Sequence, residues 1–203
     1  MFYSLPSTQL VEVVRRLRTF PSSLHLRVDE REKIPFPFPK TPWRVPMIPM
    51  IGYPPLQIMI TAVRETLNDA DYDFREFPLA GAVERKGGSR ELVNNFTTPD
   101  LRRVDAAASR IAVRRVRRLL LVETPITELG QIPASVAGSA VLVASTISEL
   151  VLEKGFELAF SDSYRRGQVR KSVADFVVNW LLAQSVRYFI ADILSQLAQE
   201  KHP

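Results

Sequence analysis

Seven arginines stand between residues 101 and 118, namely Arg102, Arg103, Arg110, Arg114, Arg115, Arg117 and Arg118, against the single acid Asp105. A guanidinium is planar, stays charged at any physiological pH and can meet two phosphate oxygens at once, so such a group suits a polyanion. The formal net charge of +5 is modest, and its concentration in this stretch matters more than its sum. Residues 119–164 reverse the sign, with Lys154 the only base against Glu123, Glu128, Glu149, Glu153, Glu157 and Asp162. A second basic group, Tyr164-Arg165-Arg166-Gly167, is followed by Arg170 and Lys171.

Other chemistry finds little support in the residue types. The chain has no cysteine, which removes disulfides, thiolate metal sites and cysteine nucleophiles. Its two histidines, His25 and His202, are too few for a histidine triad or metal centre. Gly87-Gly88-Ser89 lacks the lysine of a phosphate-binding loop. Asp69, Asp71 and Asp73 have the spacing that opens a calcium-binding loop, but Phe74 and Ala80 stand where that loop needs glycine and glutamate, so the triplet reads as a solvated acidic loop. These features point to a non-enzymatic chain without cofactor or metal.

The elements that would carry the arginines divide the chain at about residue 96. Residues 1–96 read as an N-terminal helix over about 7–19, a proline-rich arm over 21–55, a helix over about 55–69 and a loop over 68–98. Leu10, Val13, Val14 and Leu17 recur at helical spacing, and Pro21 ends that helix. Eight prolines between Pro35 and Pro55 forbid helix and central strand, yet Phe36, Phe38, Trp43, Ile48 and Tyr53 are interleaved with them. An arm so rich in large apolar groups is expected to lie along a surface, of this chain or of a partner. Residues 97–203 read as helical throughout, with a basic helix over about 100–122, a long apolar helix over about 134–160, the basic loop and two further helices. No run is apolar enough for a membrane span.

The segment 114–194 resembles the histone fold of the C subunit of the CCAAT-binding nuclear factor Y, and is similar to the small histone-fold subunits of DNA polymerase epsilon. The likeness is carried by Arg117-Arg118-Leu119-Leu120, by Ile147-Ser148-Glu149-Leu150, by Arg165-Arg166 before Val173-Ala174, and by Tyr188-Phe189-Ile190-Ala191-Asp192-Ile193. Gly167 and Ser172 depart from the threonine and aspartate common there. The resemblance implies a mainly α protein, a C-terminal histone-fold-like domain with an extended arm, and a second histone-fold chain as obligatory partner. It implies that Val143, Ile147, Leu150 and Phe176 face that partner. Arg110, Arg114, Arg115, Arg117, Arg118, Arg165, Arg166, Arg170 and Lys171 would then contact the phosphates of double-stranded DNA, in a nuclear chain associated with chromatin. The alternative reading is a self-assembling helical nucleocapsid or scaffold protein of a virion, in which copies of the chain replace the partner.

Overall fold

Alternation of apolar and polar residues, not helical recurrence, governs the first half of the molecule. In Leu24, Leu26 and Val28 every second side chain is buried while His25 and Arg27 turn the other way, the period of a strand with one face on a core. Ile58 and Ile60 repeat the pattern, so the segment expected as a helix over 55–69 is a strand. The computed structural model describes residues 7–49, 52–97, 100–129, 139–162 and 167–200. Its elements in chain order are α1 (Ser7–Leu17), β1 (Ser23–Asp29), β2 (Trp43–Met47), β3 (Leu56–Glu65), β4 (Tyr72–Phe74), β5 (Gly81–Lys86), α2 (Ser89–Thr97), α3 (Asp100–Arg114), β6 (Arg117–Val122), α4 (Ile126–Leu129), α5 (Ser139–Leu152), β7 (Glu157–Phe160) and α6 (Gly167–Gln199).

The strands form one seven-stranded mixed sheet in the order β2-β3-β1-β4-β5-β6-β7. β1 pairs in parallel with β3 and antiparallel with β4; β4 is antiparallel to β5, and β5, β6 and β7 are mutually parallel. Hence β1, β3, β5, β6 and β7 run one way, and β2 and β4 the other. Strands from both sides of residue 96 share this sheet. The mainly α, histone-fold expectation is thereby overturned. Arg117-Arg118-Leu119-Leu120 is not a helix end but the start of β6, whose last four residues are all buried, the mark of a central parallel strand covered on both faces. The long apolar helix stops at Leu152, turns through Gly155 at φ 65° and gives way to β7. The two closing helices are one helix of 33 residues.

Two cores flank the sheet. One joins α1 and α6 to Leu24, Leu26, Ile60, Phe74, Val83, Leu119 and Leu121, and it also buries Phe36, so the proline-rich arm lies on this chain itself. Phe36 and Phe38 pack about Tyr72, and Phe38 stacks with Trp43. Pro46 is accommodated because β2 is an edge strand. The other core joins Leu92 and Phe96 of α2, Val104 and Ile111 of α3, and Val143, Ile147 and Leu150 of α5 to Ala82, Leu120 and Val122. Val143, Ile147 and Leu150 therefore cover this chain's own sheet and are not available to a partner, while Phe176 is half exposed on α6.

That second layer reaches β5, β6 and β7 only. On the same face of β1 and β4 the residues are polar, with Arg27 paired to Asp73 and to Glu65 in place of a covering helix. The boundary between the covered and bare halves falls along β5.

Candidate active site

β5 carries Gly81-Ala82-Val83-Glu84-Arg85-Lys86, and because Ala82 faces the α2–α3 layer, Glu84 and Lys86 face that side too. The Lys86 ammonium donates to Glu84 Oε1 at 2.6 Å. Asp71 stands just before β4, at the edge of the sheet where β1, β5 and β6 end. Its amide donates to the Val83 carbonyl, and its carboxylate Oδ2 accepts the Arg85 amide at 2.7 Å, which sets the side chain beside β5. Two carboxylates and an ammonium are thus gathered at the carboxyl ends of parallel strands, where open α/β sheets bind their ligands.

The turn that delivers Asp71 is held firmly. Ala70 has φ 64°, the left-handed region that a residue with a β-carbon adopts only under constraint, and such positions cluster at working sites. On either side of Asp71, Asp69 and Asp73 are buried and are bridged by Arg115, itself buried, with one nitrogen on Asp69 and another 3.0 Å from Asp73 Oδ2. Arg27 meets Asp73 through two bonds of 2.7 Å. The aspartate triplet is therefore no solvated loop: its outer members are structural anchors, and the middle one is presented.

Electrostatics sharpen the contrast between Asp71 and Lys86. Burial, then the charge of Glu84, pushes the Asp71 carboxyl well above the ordinary carboxylate range. Burial alone would lower Lys86, but the charges of Glu84 and Asp71 outweigh it and hold the ammonium above its ordinary value. The cluster has one carboxyl that ionises reluctantly and one cation that does not let its proton go, the signature of a site short of positive charge.

The surrounding cleft has a volume of about 610 Å³. One wall is the connection after β1, with Arg31 and Lys33; the other is α3, with Arg103 and Arg110. Glu91, in the first turn of α2, also lines it and accepts the Gly87 amide at 3.0 Å. Among the described residues no group of three or more Asp, Glu, His or Cys side chains is arranged to hold a metal ion. A cage for zinc or calcium is thus not what these residues build. Magnesium is different: it commonly takes one or two carboxylates and completes its shell with water and substrate phosphate. Asp71, with Oδ1 not engaged by the Arg85 amide, and Glu84 fit that demand, and a cation there would offset the charge imbalance.

The nine basic residues expected to face nucleic acid separate. Arg110 lines the cleft. Arg114 is half exposed with Asp69 3.6 Å away, and Arg115 is buried, so Arg115 cannot meet a polyanion. Arg117 is exposed on β6 beside Glu157 at 3.5 Å, and Arg118 is spent on the main-chain carbonyls of Ala112, Arg115 and Gly155. Arg170 binds the Ile34 carbonyl at 2.7 Å, lies 3.5 Å from Glu123 and rests over the Phe36 ring, fastening the arm to α6. Lys171 is exposed, and Arg165 and Arg166 lie outside the described residues. Arg110 and Arg114 lie on α3 and Arg117 and Arg118 on β6, so close neighbours in sequence turn to different surroundings.

Glu84 and Lys86 escaped the sequence reading. Their signal was available: two opposite charges at i and i+2 within Gly81–Lys86, a period-2 pair that places both on one strand face, downstream of a closely spaced aspartate triplet.

No protein-family model and no curated protein matches the chain. Among solved structures it is similar to XPF. XPF from Aeropyrum pernix in complex with DNA is 22% identical over 76% of this chain, with a TM-score of 0.47, and XPF from Aeropyrum pernix alone is 22% identical over 75%, with a TM-score of 0.46. The chain spans 65% and 61% of those two XPF chains, less than two thirds of either. The mixed sheet overturns the resemblance to the nuclear factor Y subunit, and with it the obligatory histone-fold partner and the helical nucleocapsid alternative. The non-enzymatic expectation, drawn from the histone-fold likeness, the missing cysteines, the two histidines and a solvated aspartate loop, is overturned with that fold: Asp69 and Asp73 are buried, and Asp71 meets Glu84 and Lys86 at the strand ends.

Proposed function

We propose that this chain is a divalent-cation-dependent hydrolase of nucleic-acid phosphodiester bonds. The observation that carries the reading is the convergence of Asp71, Glu84 and Lys86 on one face at the carboxyl end of β5. Asp71 and Glu84 would hold the cation, magnesium by the chemistry of the donor set. When bound, such an ion polarises a phosphoryl oxygen and supplies a nucleophilic water at neutral pH.

The chain's own residues do the rest. Lys86 keeps its proton because two carboxylates face it, so it acts as a fixed positive charge toward the phosphate and not as a proton acceptor; charge aimed at the developing oxyanion is what lowers the barrier. Arg85, on the opposite face of β5, bonds Glu123 and lies 2.9 Å from Glu32, locking the strand's backbone behind the two side chains. Arg103 and Arg110 bring phosphate-binding groups to the rim, consistent with nucleic acid as partner.

The test is cleavage of end-labelled oligonucleotides and plasmid by the purified chain with magnesium or manganese, against a chelator control. Glu84→Gln and Lys86→Ala should each lower the rate about 10²-fold or more, the usual scale for losing such a charge, with unchanged circular dichroism. Cleavage that survives both substitutions would reject the site.

A further inference from the structure

Two basic groups in the walls of the cleft, Lys33 and Arg110, differ from the ion-paired arginines nearby. Arg31 is engaged by Asp29 at 2.5 Å, Arg85 by Glu32 and Glu123, and Arg115 by Asp69 and Asp73. Lys33 and Arg110 are exposed, line the cleft from opposite sides, and form no ion pair among the described residues. The floor between them is acidic and recessed. A cleft of about 610 Å³ lies in the range of small-ligand sites, so it receives one or two nucleotides and not the body of a duplex.

We propose that Lys33 and Arg110 grip the phosphates on either side of the one lying over Asp71 and Glu84, so that the cleft accepts a single nucleic-acid strand and not an intact duplex. This rests on the hydrolase reading for the position of the central phosphate. The pattern is basic, acidic, basic across the cleft. It matches a strand whose middle phosphate is neutralised by a cation and whose outer phosphates are neutralised by side chains. An intact duplex would rest on the rim, with its backbone held away from the recessed carboxylates. Contacts of this kind go to the backbone and leave the base sequence unread.

The experiment measures binding, without turnover, in the full chain carrying Glu84→Gln. Fluorescent 12-nucleotide single strands of DNA and of RNA, and a blunt DNA duplex of the same length, are titrated in calcium over a series of salt concentrations. The single strands should bind more tightly than the duplex. Lys33→Ala and Arg110→Ala should each flatten the salt slope for single strands by about 0.7, the share of one phosphate contact, and Arg110→Lys should restore it. Arg15→Ala, on α1 across the sheet from the cleft, should leave the slope as it is. Equal slopes in all variants, or a duplex bound as tightly as the strands, overturn the proposal. The DNA and RNA arms tell whether the sugar matters. If the slopes fall as expected while the unsubstituted chain cuts nothing in magnesium, the strand grip stands and the hydrolase reading alone falls.

Discussion

Arg115 and Lys86 are both buried cations, and their surroundings assign them opposite tasks. Arg115 has an acid on each side, which makes it a brace; Lys86 has one close acid and an open cleft before it. The same division separates Asp71 from its neighbours. A carboxyl whose value is raised by folding contributes stability at low pH that is lost as the pH rises through the folded-state value. As the pH rises above the ordinary carboxylate range, Asp71 therefore works against the fold. Asp71→Asn, which keeps an oxygen for the Arg85 amide, should raise the melting temperature above pH 7, by about 2–4 °C for each kcal/mol relieved, while cleavage is abolished. Thermal unfolding from pH 4 to pH 9 checks this: the gain should shrink toward acid pH, and a loss of stability at pH 8 would contradict the assignment.

At the scale of elements, Arg115 joins the end of α3 to the turn before β4, and Arg27 extends the chain of pairs to β1. Removing one partner of a buried ion network strands the others. Arg115→Ala should cost about 3–5 kcal/mol in denaturant unfolding, whereas Arg117→Ala, an exposed neighbour two residues away, should fall within about 1 kcal/mol. The elements themselves were unequally legible in the sequence. α1 was readable because an amphipathic helix closed by Pro21 has no competing pattern. β6 was not, because Leu119–Val122 continues an arginine-rich helical stretch without a glycine or proline, and a short apolar run fits either a buried strand or a buried helix. β3 was misread for a related reason: Ile58, Ile60, Ala62 and Val63 satisfy both periods, and Pro54-Pro55 imitates a helix start. The arm was recognised as extended, but β2 was hidden by Pro46, which an edge strand tolerates, and the proline-free β1 was absorbed into the arm. Of the site, Arg110 was chosen, Asp71 was seen and dismissed, and Glu84 and Lys86 were passed over, since only the fold brings them together with Asp71 at the strand ends.

For the whole molecule, a cation bound only by the folded chain must stabilise it by mass action. Magnesium at 100 times its dissociation constant should add about 2.7 kcal/mol, read as a rise in melting temperature that a chelator reverses and that Glu84→Gln removes. No shift at any concentration would speak against a cation site in the free protein. The seven-stranded sheet also has two ends. At one, Pro46 takes an amide out of the outermost row; at the other, β7 is only four residues long. Neither end offers a long ladder for another copy to zip onto. Many copies crowded along one polyanion can therefore lie side by side without growing into a fibre, and Pro46→Val, which returns the missing donor, is the change that puts that tolerance at risk.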